Sequence, residues 1–471
     1  MGGIMAFSSF LEARRSAMRT LCQKLGETFD YVGILGADVR SRAIHANRSV
    51  CNIGEGSVSE CGFVIKMHRG GAFYEYSLDD IEGDIVALAQ KIVASVTLSA
   101  ELAAREMKIP VPVDEPLVKS FARESDYDDV TNEELLRYAE ELRDEILSRD
   151  ENILNATVAV MPYAVSKLFV SKNRELDQFY SWTNVMALVI YREGEKIVSA
   201  REGTYSHLTR EATEIMKTKV DILVDKAHHL AKAKPIVPGV YDVITAPSIT
   251  GLIAHEAFGH GVEMDQFVKE RALAREYVGR AVASPICNMR DGAGAVLSSA
   301  SYFFDDDGVL AGDTEIIRDG ILVAGISDLV SASELGTTPT GNGRRESYKR
   351  KAYTRMTNTF FCPGTDKLED MIASISHGYM LFETNNGMED PKNWQIQCTA
   401  EYGIEIVDGK LTDNYVSPVV MSGSVPELLG SISMVSDTFE IIGAGGCGKG
   451  YKEWVRVSDG GPALKVRVKL A

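Results

Sequence analysis

Asp-Gly pairs at Asp291-Gly292, Asp307-Gly308, Asp319-Gly320 and Asp408-Gly409 punctuate strand-patterned sequence in the second half of this chain. Asp-Gly favours the tight left-handed turns that join antiparallel strands, so that half is constrained to a large β domain built from hairpins. The chain's last residues agree: Leu464, Val466, Val468 and Leu470 alternate with Lys465, Arg467 and Lys469, the period-two pattern of a half-buried strand. Pro235, Pro238 and Gly239 mark where this region starts. The 471 residues are too many for one comfortable core, and the punctuation divides them into domains 1–234 and 235–471.

The first domain mixes periods. Phe10 to Leu25 reads as an amphipathic helix, Tyr31 to Tyr74 contains short extended stretches separated by glycines, and Ile85, Leu88, Ile92 and Val96 recur at helical spacing. Thr131 and Glu134 form a capping box ahead of Leu135, Ala139, Leu142 and Ile146 on one helical face. Extended sequence runs from Ile153 to Ala200, and one long helical pattern, Thr209 to Lys232, closes the domain. The expected fold is α+β: an α/β N-terminal domain followed by a β-rich, antiparallel, barrel-like C-terminal domain.

A formal charge of −17 opposes approach to a phosphate backbone or an anionic membrane, so neither nucleic acid nor membrane is an expected partner. The densest basic run, Arg344, Arg345, Lys349, Arg350, Lys351 and Arg355, reads as a solvated loop. Met1 to Phe7 lacks the basic start and apolar core of a secretory signal, and no apolar stretch reaches bilayer length. Seven cysteines at irregular spacings suit a reducing compartment, so a cytoplasmic protein is expected.

The chemistry concentrates in Pro247 to His260, a short and largely apolar helical stretch that carries His255, Glu256 and His260. Zinc-peptidase helices space their histidines four apart, about 40° around the helix; here the spacing is five, about 140° on regular geometry. A single π-type turn near Gly259 returns the imidazoles to one face, with the glycine relieving the distortion. Two imidazoles leave zinc short of a third protein ligand. Glu263 and Asp265 are near in sequence; the other candidate is Cys447, in Gly443-Ala444-Gly445-Gly446-Cys447-Gly448-Lys449-Gly450, where glycines permit close approach and Lys449 favours a thiolate. The same glycines match phosphate-loop patterns, but Gly450 stands where a magnesium-binding Ser or Thr is needed and strand-like sequence follows.

Together, His255-Glu256-Ala257-Phe258-Gly259-His260-Gly261, Arg355-Met356-Thr357-Asn358-Thr359, Gly446-Cys447-Gly448-Lys449 and the closing Gly461-Pro462 resemble the TldD/PmbA family, on the side of its TldD-like members. The resemblance implies a zinc site with His255, His260 and Cys447 as ligands, Glu256 as catalytic carboxylate, and zinc-dependent endopeptidase action on unfolded or extended peptides. It also implies dimeric assembly, as a homodimer or with a PmbA-like paralogue. A zinc amide hydrolase acting on small amides, or a peptide-binding scaffold with a structural metal, are the alternatives. The oxyanion donor is open among His377, Lys449 and Tyr451. The stretch from Arg344 to Lys351 departs from better-known members, and either binds acidic peptides or is solvated surface.

Overall fold

The computed structural model describes residues 7–97, 109–449 and 452–471. In the first half, three long strands, Tyr31–Ala46, Ile153–Ser171 and Arg174–Glu193, form the centre of an eight-stranded sheet. Every pairing is antiparallel except that of Leu117–Ala122 with Arg174–Glu193. The register between Tyr31–Ala46 and Ile153–Ser171 holds without a slip, so alternate residues keep to one face over the whole length. On that face Ile34, Phe63 and Leu168 pack under helices Ser9–Leu25 and Ile85–Thr97. Ile44, Val158 and Val185 pack under Asn132–Ser148, Thr209–Lys217 and Val220–Lys232.

The capping box forms as the sequence implies: Thr131 Oγ1 accepts the Glu134 amide at 3.2 Å, and the Glu134 carboxylate accepts the Thr131 amide at 2.7 Å. The pattern from Thr209 to Lys232 is broken into two helices rather than one. Thr218 turns its hydroxyl back onto the Ile215 carbonyl at 2.7 Å, and Lys219 leaves the helical path to reach the Glu202 carboxylate at 2.9 Å.

The sheet's other face meets the second half of the chain. Tyr163, Val165, Tyr180 and Trp182 pack with Ala293 and Tyr302, and Leu35, Val64 and Phe169 with Phe304. The second half itself contains two larger sheets. One has six strands in the order Ile321–Leu322, Thr314–Arg318, Met289–Asp291, Asn358–Phe361, Lys452–Gly461, Glu440–Lys449. In the other, His377–Asp390, Gly239–Thr245, Leu464–Leu470, Val419–Ser424 and Gln395–Val407 pair in that order, and the last pairs back onto the first to close a barrel. Two pairings are parallel, Gly239–Thr245 with His377–Asp390 and Asn358–Phe361 with Lys452–Gly461, so the β region is mixed and barrel-like.

Asp319-Gly320 and Asp408-Gly409 turn hairpins, with all four residues at positive φ. Asp307-Gly308 turns a loop closed by a bridge between Phe304 and Leu310. Asp291-Gly292 is no hairpin turn. Asp291 is buried at a strand end, where its carboxylate accepts hydrogen bonds from Asn342, Thr357 and Thr359 at 2.6–2.9 Å. All seven cysteines are free thiols. No helix among the described residues is long and apolar enough to cross a membrane.

Candidate metal centre

Pro247, its missing N–H harmless in a first turn, opens helix Pro247–Leu252 directly after strand Gly239–Thr245. From Ile253 to Gly259 the helix widens to a π turn, the His260 amide donating to the His255 carbonyl. This is the deformation that a five-residue spacing demands, and it brings the two imidazoles together, ring centroids 5.0 Å apart and planes nearly perpendicular. Gly259 serves a different purpose from the expected one. Its φ of −62° is ordinary for a helix, and a Cβ there would sit 2.1 Å from Met356 Sδ. The glycine makes room for Met356 rather than for the bend.

Cys447 arrives from strand Glu440–Lys449, the first arm of a hairpin with Lys452–Gly461. Its Sγ lies 3.1 Å from His255 Nε2 and 3.3 Å from His260 Nε2. The three donor atoms fall within 4.8 Å of one another, and no other group of three or more His, Cys, Asp or Glu is so arranged among the described residues. Nitrogen and sulphur ligands of a tetrahedral zinc are about 3.5 Å apart, within a few tenths of an ångström of the two sulphur–nitrogen distances here. Burial opposes charge on all three groups, but the two imidazoles hold Cys447 down to about 4 and the sulphur lifts His255 to about 9. A thiolate sharing protons with two imidazoles is a donor set whose protons a cation replaces.

Gly443 and Gly446 do not provide the expected access to the histidine helix. Gly443 accommodates the Tyr205 ring of the N-terminal sheet, with a Cβ there 2.3 Å from Cδ1, and Gly446 has no neighbour nearer than Trp454 at 3.9 Å. The close approach is made from the helix instead: a Cβ on Gly251 would lie 2.5 Å from the Gly460 amide nitrogen.

Glu263 and Asp265 stand behind the three donors. Glu263 Oε2 is 3.3 Å from His260 Nδ1, the nitrogen turned away from the sulphur, and 3.0 Å from Lys449 Nζ. Asp265 binds Lys449 at 2.7 Å and Lys269 at 2.9 Å. Lys449 is therefore spent on these carboxylates and not on the thiolate. The cation at the sulphur is Arg355, whose Nη2 donates to Cys447 Sγ and to the Cys447 carbonyl, both at 2.9 Å. Arg355 is wholly buried, Arg345 is buried against Glu75 at 3.1 Å, and Arg344 donates to the Met356 carbonyl at 2.6 Å. The solvated-loop reading thus holds only for Lys349, Arg350 and Lys351, which are exposed.

The donors open onto a cleft of about 1500 Å³ whose walls include Glu256, the strand of Cys447, and Asn184, Met186 and Glu202 from the N-terminal sheet. Two further carboxyls line it that sequence reasoning missed. Burial raises Glu389 to about 8 despite His260; its Oε2 accepts the Gly261 amide at 3.0 Å, and its Oε1 is buried without a hydrogen-bond partner among the described residues. Asp459 is likewise raised to about 6 by burial, against the pull of His255. Nothing in the local sequence of either residue signals this. Of the oxyanion candidates, His377 pairs with Glu405 at 3.0 Å away from the cleft, Lys449 lines it but is paired, and Tyr451 lies outside the described residues. No residue from Arg344 to Lys351 lines this cleft.

A barrel-like β region joined to a helix-backed sheet, with an imidazole, imidazole and thiolate trio at their shared cleft, defines a candidate metalloenzyme. Residues 238–470 match the PmbA/TldA metallopeptidase C-terminal domain. A metalloprotease of Methanothermobacter thermautotrophicus is 26% identical over 459 residues, covering 93% of this chain and 97% of that protein. A zinc metalloprotease TldD homolog of Saccharolobus solfataricus is 28% identical over 313 residues, 64% of this chain and 67% of that one. Two further metalloprotease relatives align over only about half of their own length. The crystal structure of TldE from Thermococcus kodakarensis superposes with a TM-score of 0.74 at 20% identity, covering 97% of this chain and 100% of that one, which shows the fold. The chain belongs to the PmbA/TldD metallopeptidase family, among its TldD-like members.

Proposed function

We propose that this chain is a zinc-dependent endopeptidase that cuts extended, unfolded peptides, with His255, His260 and Cys447 as metal ligands and Glu256 as the catalytic carboxylate. The observation that carries this reading is that the three donors face a cleft of about 1500 Å³ instead of being sealed in the core. That volume exceeds the roughly 300–1,000 Å³ of small-molecule pockets, which favours a peptide over a small amide. A structural metal site, by contrast, is closed on all sides. The name of the Saccharolobus solfataricus relative, a zinc metalloprotease, supports the choice of ion.

Zinc bound there would polarise a substrate carbonyl and lower the pKa of water. Glu256, one residue from His255 and in the cleft wall, takes the proton of the attacking water on its carboxylate and passes it to the leaving amine. Its place is fixed from the far side by Gly387, where a Cβ would lie 2.4 Å from Glu256 Cγ. Strand Glu440–Lys449 ends its sheet, and among the described residues no strand pairs with its outer edge. A peptide added there would be held by main-chain hydrogen bonds with little side-chain discrimination.

Replacing Glu256 with Gln should abolish hydrolysis of an unfolded protein substrate while leaving zinc content intact; the wild-type enzyme should spare the same substrate in its native form. Loss of zinc in that variant would make Glu256 a ligand, and equal rates on native and unfolded substrate would refute the extended-peptide reading. We further infer that the chain dimerises, with itself or with a PmbA-like paralogue, since Ala72–Leu78 and Leu117–Ala122 leave sheet edges that need cover. A monomer by light scattering, with no paralogue co-purifying, is the contrary result. Its seven free thiols favour a cytoplasmic setting, which cell fractionation tests.

A further inference from the structure

A wholly buried guanidinium is rare, because burying a charge is costly unless its partners compensate it. Arg355 has such partners, and they all belong to the metal centre or to the hairpin that carries Cys447. Nη2 is shared between the sulphur and carbonyl of Cys447 at 2.9 Å each, Nη1 donates to the Glu453 carbonyl, and Nε lies 3.4 Å from Glu263 Oε1. The other Glu263 oxygen is 3.3 Å from His260 Nδ1, and His260 Nε2 is 3.3 Å from the sulphur. Sulphur, guanidinium, carboxylate and imidazole thus close a ring. It joins a donor from the histidine helix to one 187 residues further along the chain.

We propose that Arg355 is a positioning residue for the metal centre, orienting the Cys447 thiolate directly and the His260 imidazole through Glu263, so that both aim their donor atoms at one zinc ion. The inference rests on the zinc reading above. Two physical arguments support it. A carboxylate behind Nδ1 fixes the imidazole tautomer that leaves Nε2 free to bind metal. A planar fork is the one cationic group that can touch sulphur, two carbonyls and a carboxylate together, which the single point charge of a lysine cannot do. Packing alone does not explain the arrangement, because an apolar side chain would fill the volume without donating a hydrogen bond to the sulphur.

The test compares wild type with Arg355→Lys, Arg355→Met, Glu263→Gln and the exposed control Arg350→Met, all as full chains. Two quantities are read: the zinc dissociation constant by chelator competition, and the thiolate-to-metal charge-transfer band after substitution with cobalt. Both Arg355 variants should bind zinc roughly 10- to 100-fold more weakly, with a shifted or weakened charge-transfer band. Glu263→Gln should weaken binding while leaving that band in place, since it acts on the imidazole, and Arg350→Met should match wild type. Zinc affinity within twofold of wild type and an unchanged band in both Arg355 variants would overturn the proposal. Failure of both to fold, by circular dichroism of the metal-free chains, would overturn it too, by assigning Arg355 to the core. A wild-type chain with no affinity for zinc would remove the reading beneath it, a result distinct from either.

Discussion

The helix that carries His255, Glu256 and His260 and the hairpin that carries Cys447 hold one centre by different means. The helix is enclosed: Ile253, Ala254, Ala257 and Phe258 lie in the core of the β region, and its glycines are crossed by neighbours, Gly251 by the backbone of Gly460 and Gly259 by the sulphur of Met356. The donors on that side are placed by backbone shape and packing, with the Glu263 carboxylate behind His260. The strand of Cys447 lies at a sheet edge, and its pairing slips between Ile442 and Gly445 and again between Cys447 and Lys449. There the Cys447 sulphur accepts a hydrogen bond from Arg355. The difference teaches where each perturbation should appear: changes in the helix act on folding, and changes in the hairpin act on the metal.

Gly251→Ala should show the largest effect on folding. Its Cβ would meet backbone that has no side-chain torsion to relieve the clash, and overpacking of this kind costs about 3 kcal/mol; denaturant unfolding measures it. Gly259→Ala should cost less, about 1–2 kcal/mol, because a methionine side chain can rotate away. If the two substitutions were equally mild and zinc binding fell instead, the helix would not be the rigid side.

On the hairpin side the metal-free protein should betray its thiolate. Burial works against ionisation of Cys447, but His255 and His260 bring it down to about 4, so it is ionised above that pH and protonated below. Desolvation, together with neighbouring carboxylates, raises Cys22 to about 12 and Cys61 to about 11, and those thiols stay protonated near neutrality. Iodoacetamide at pH 6 should therefore label Cys447 first, with the reaction fading as pH falls through about 4 and with zinc protecting the site. Labelling that begins only at the pH of an ordinary thiol would remove the electrostatic half of the comparison.

Much of this arrangement is legible in the residues. The capping box at Thr131 and the terminal strand from Leu464 are local patterns, and local patterns survive tertiary packing. The five-residue spacing of His255 and His260 implies the π turn because no regular helix satisfies it. What is hidden is hidden for physical reasons. Asp291-Gly292 has turn chemistry, but three side chains reach Asp291 from remote segments and hold it in a strand. The break at Thr218 falls within unbroken helical periodicity, where Thr218 and Lys219 spend their side chains on Ile215 and Glu202. Arg355 reads as one more cation in a basic run, although it also begins the family-like stretch Arg355 to Thr359, the one signal that could have set it apart. The upward shifts of Glu389 and Asp459 come chiefly from burial and have no local mark.

The central claim is that Cys447, far along the chain from the histidines, completes the zinc site. Metal content of Cys447→Ala by mass spectrometry, beside Cys398→Ala as a buried-thiol control, tests it most directly. The account predicts that Cys447→Ala purifies folded but without stoichiometric zinc and without peptidase activity, while Cys398→Ala loses about 1 kcal/mol of stability at most and keeps its metal. A Cys447→Ala protein that retains one zinc per chain and full activity would contradict it.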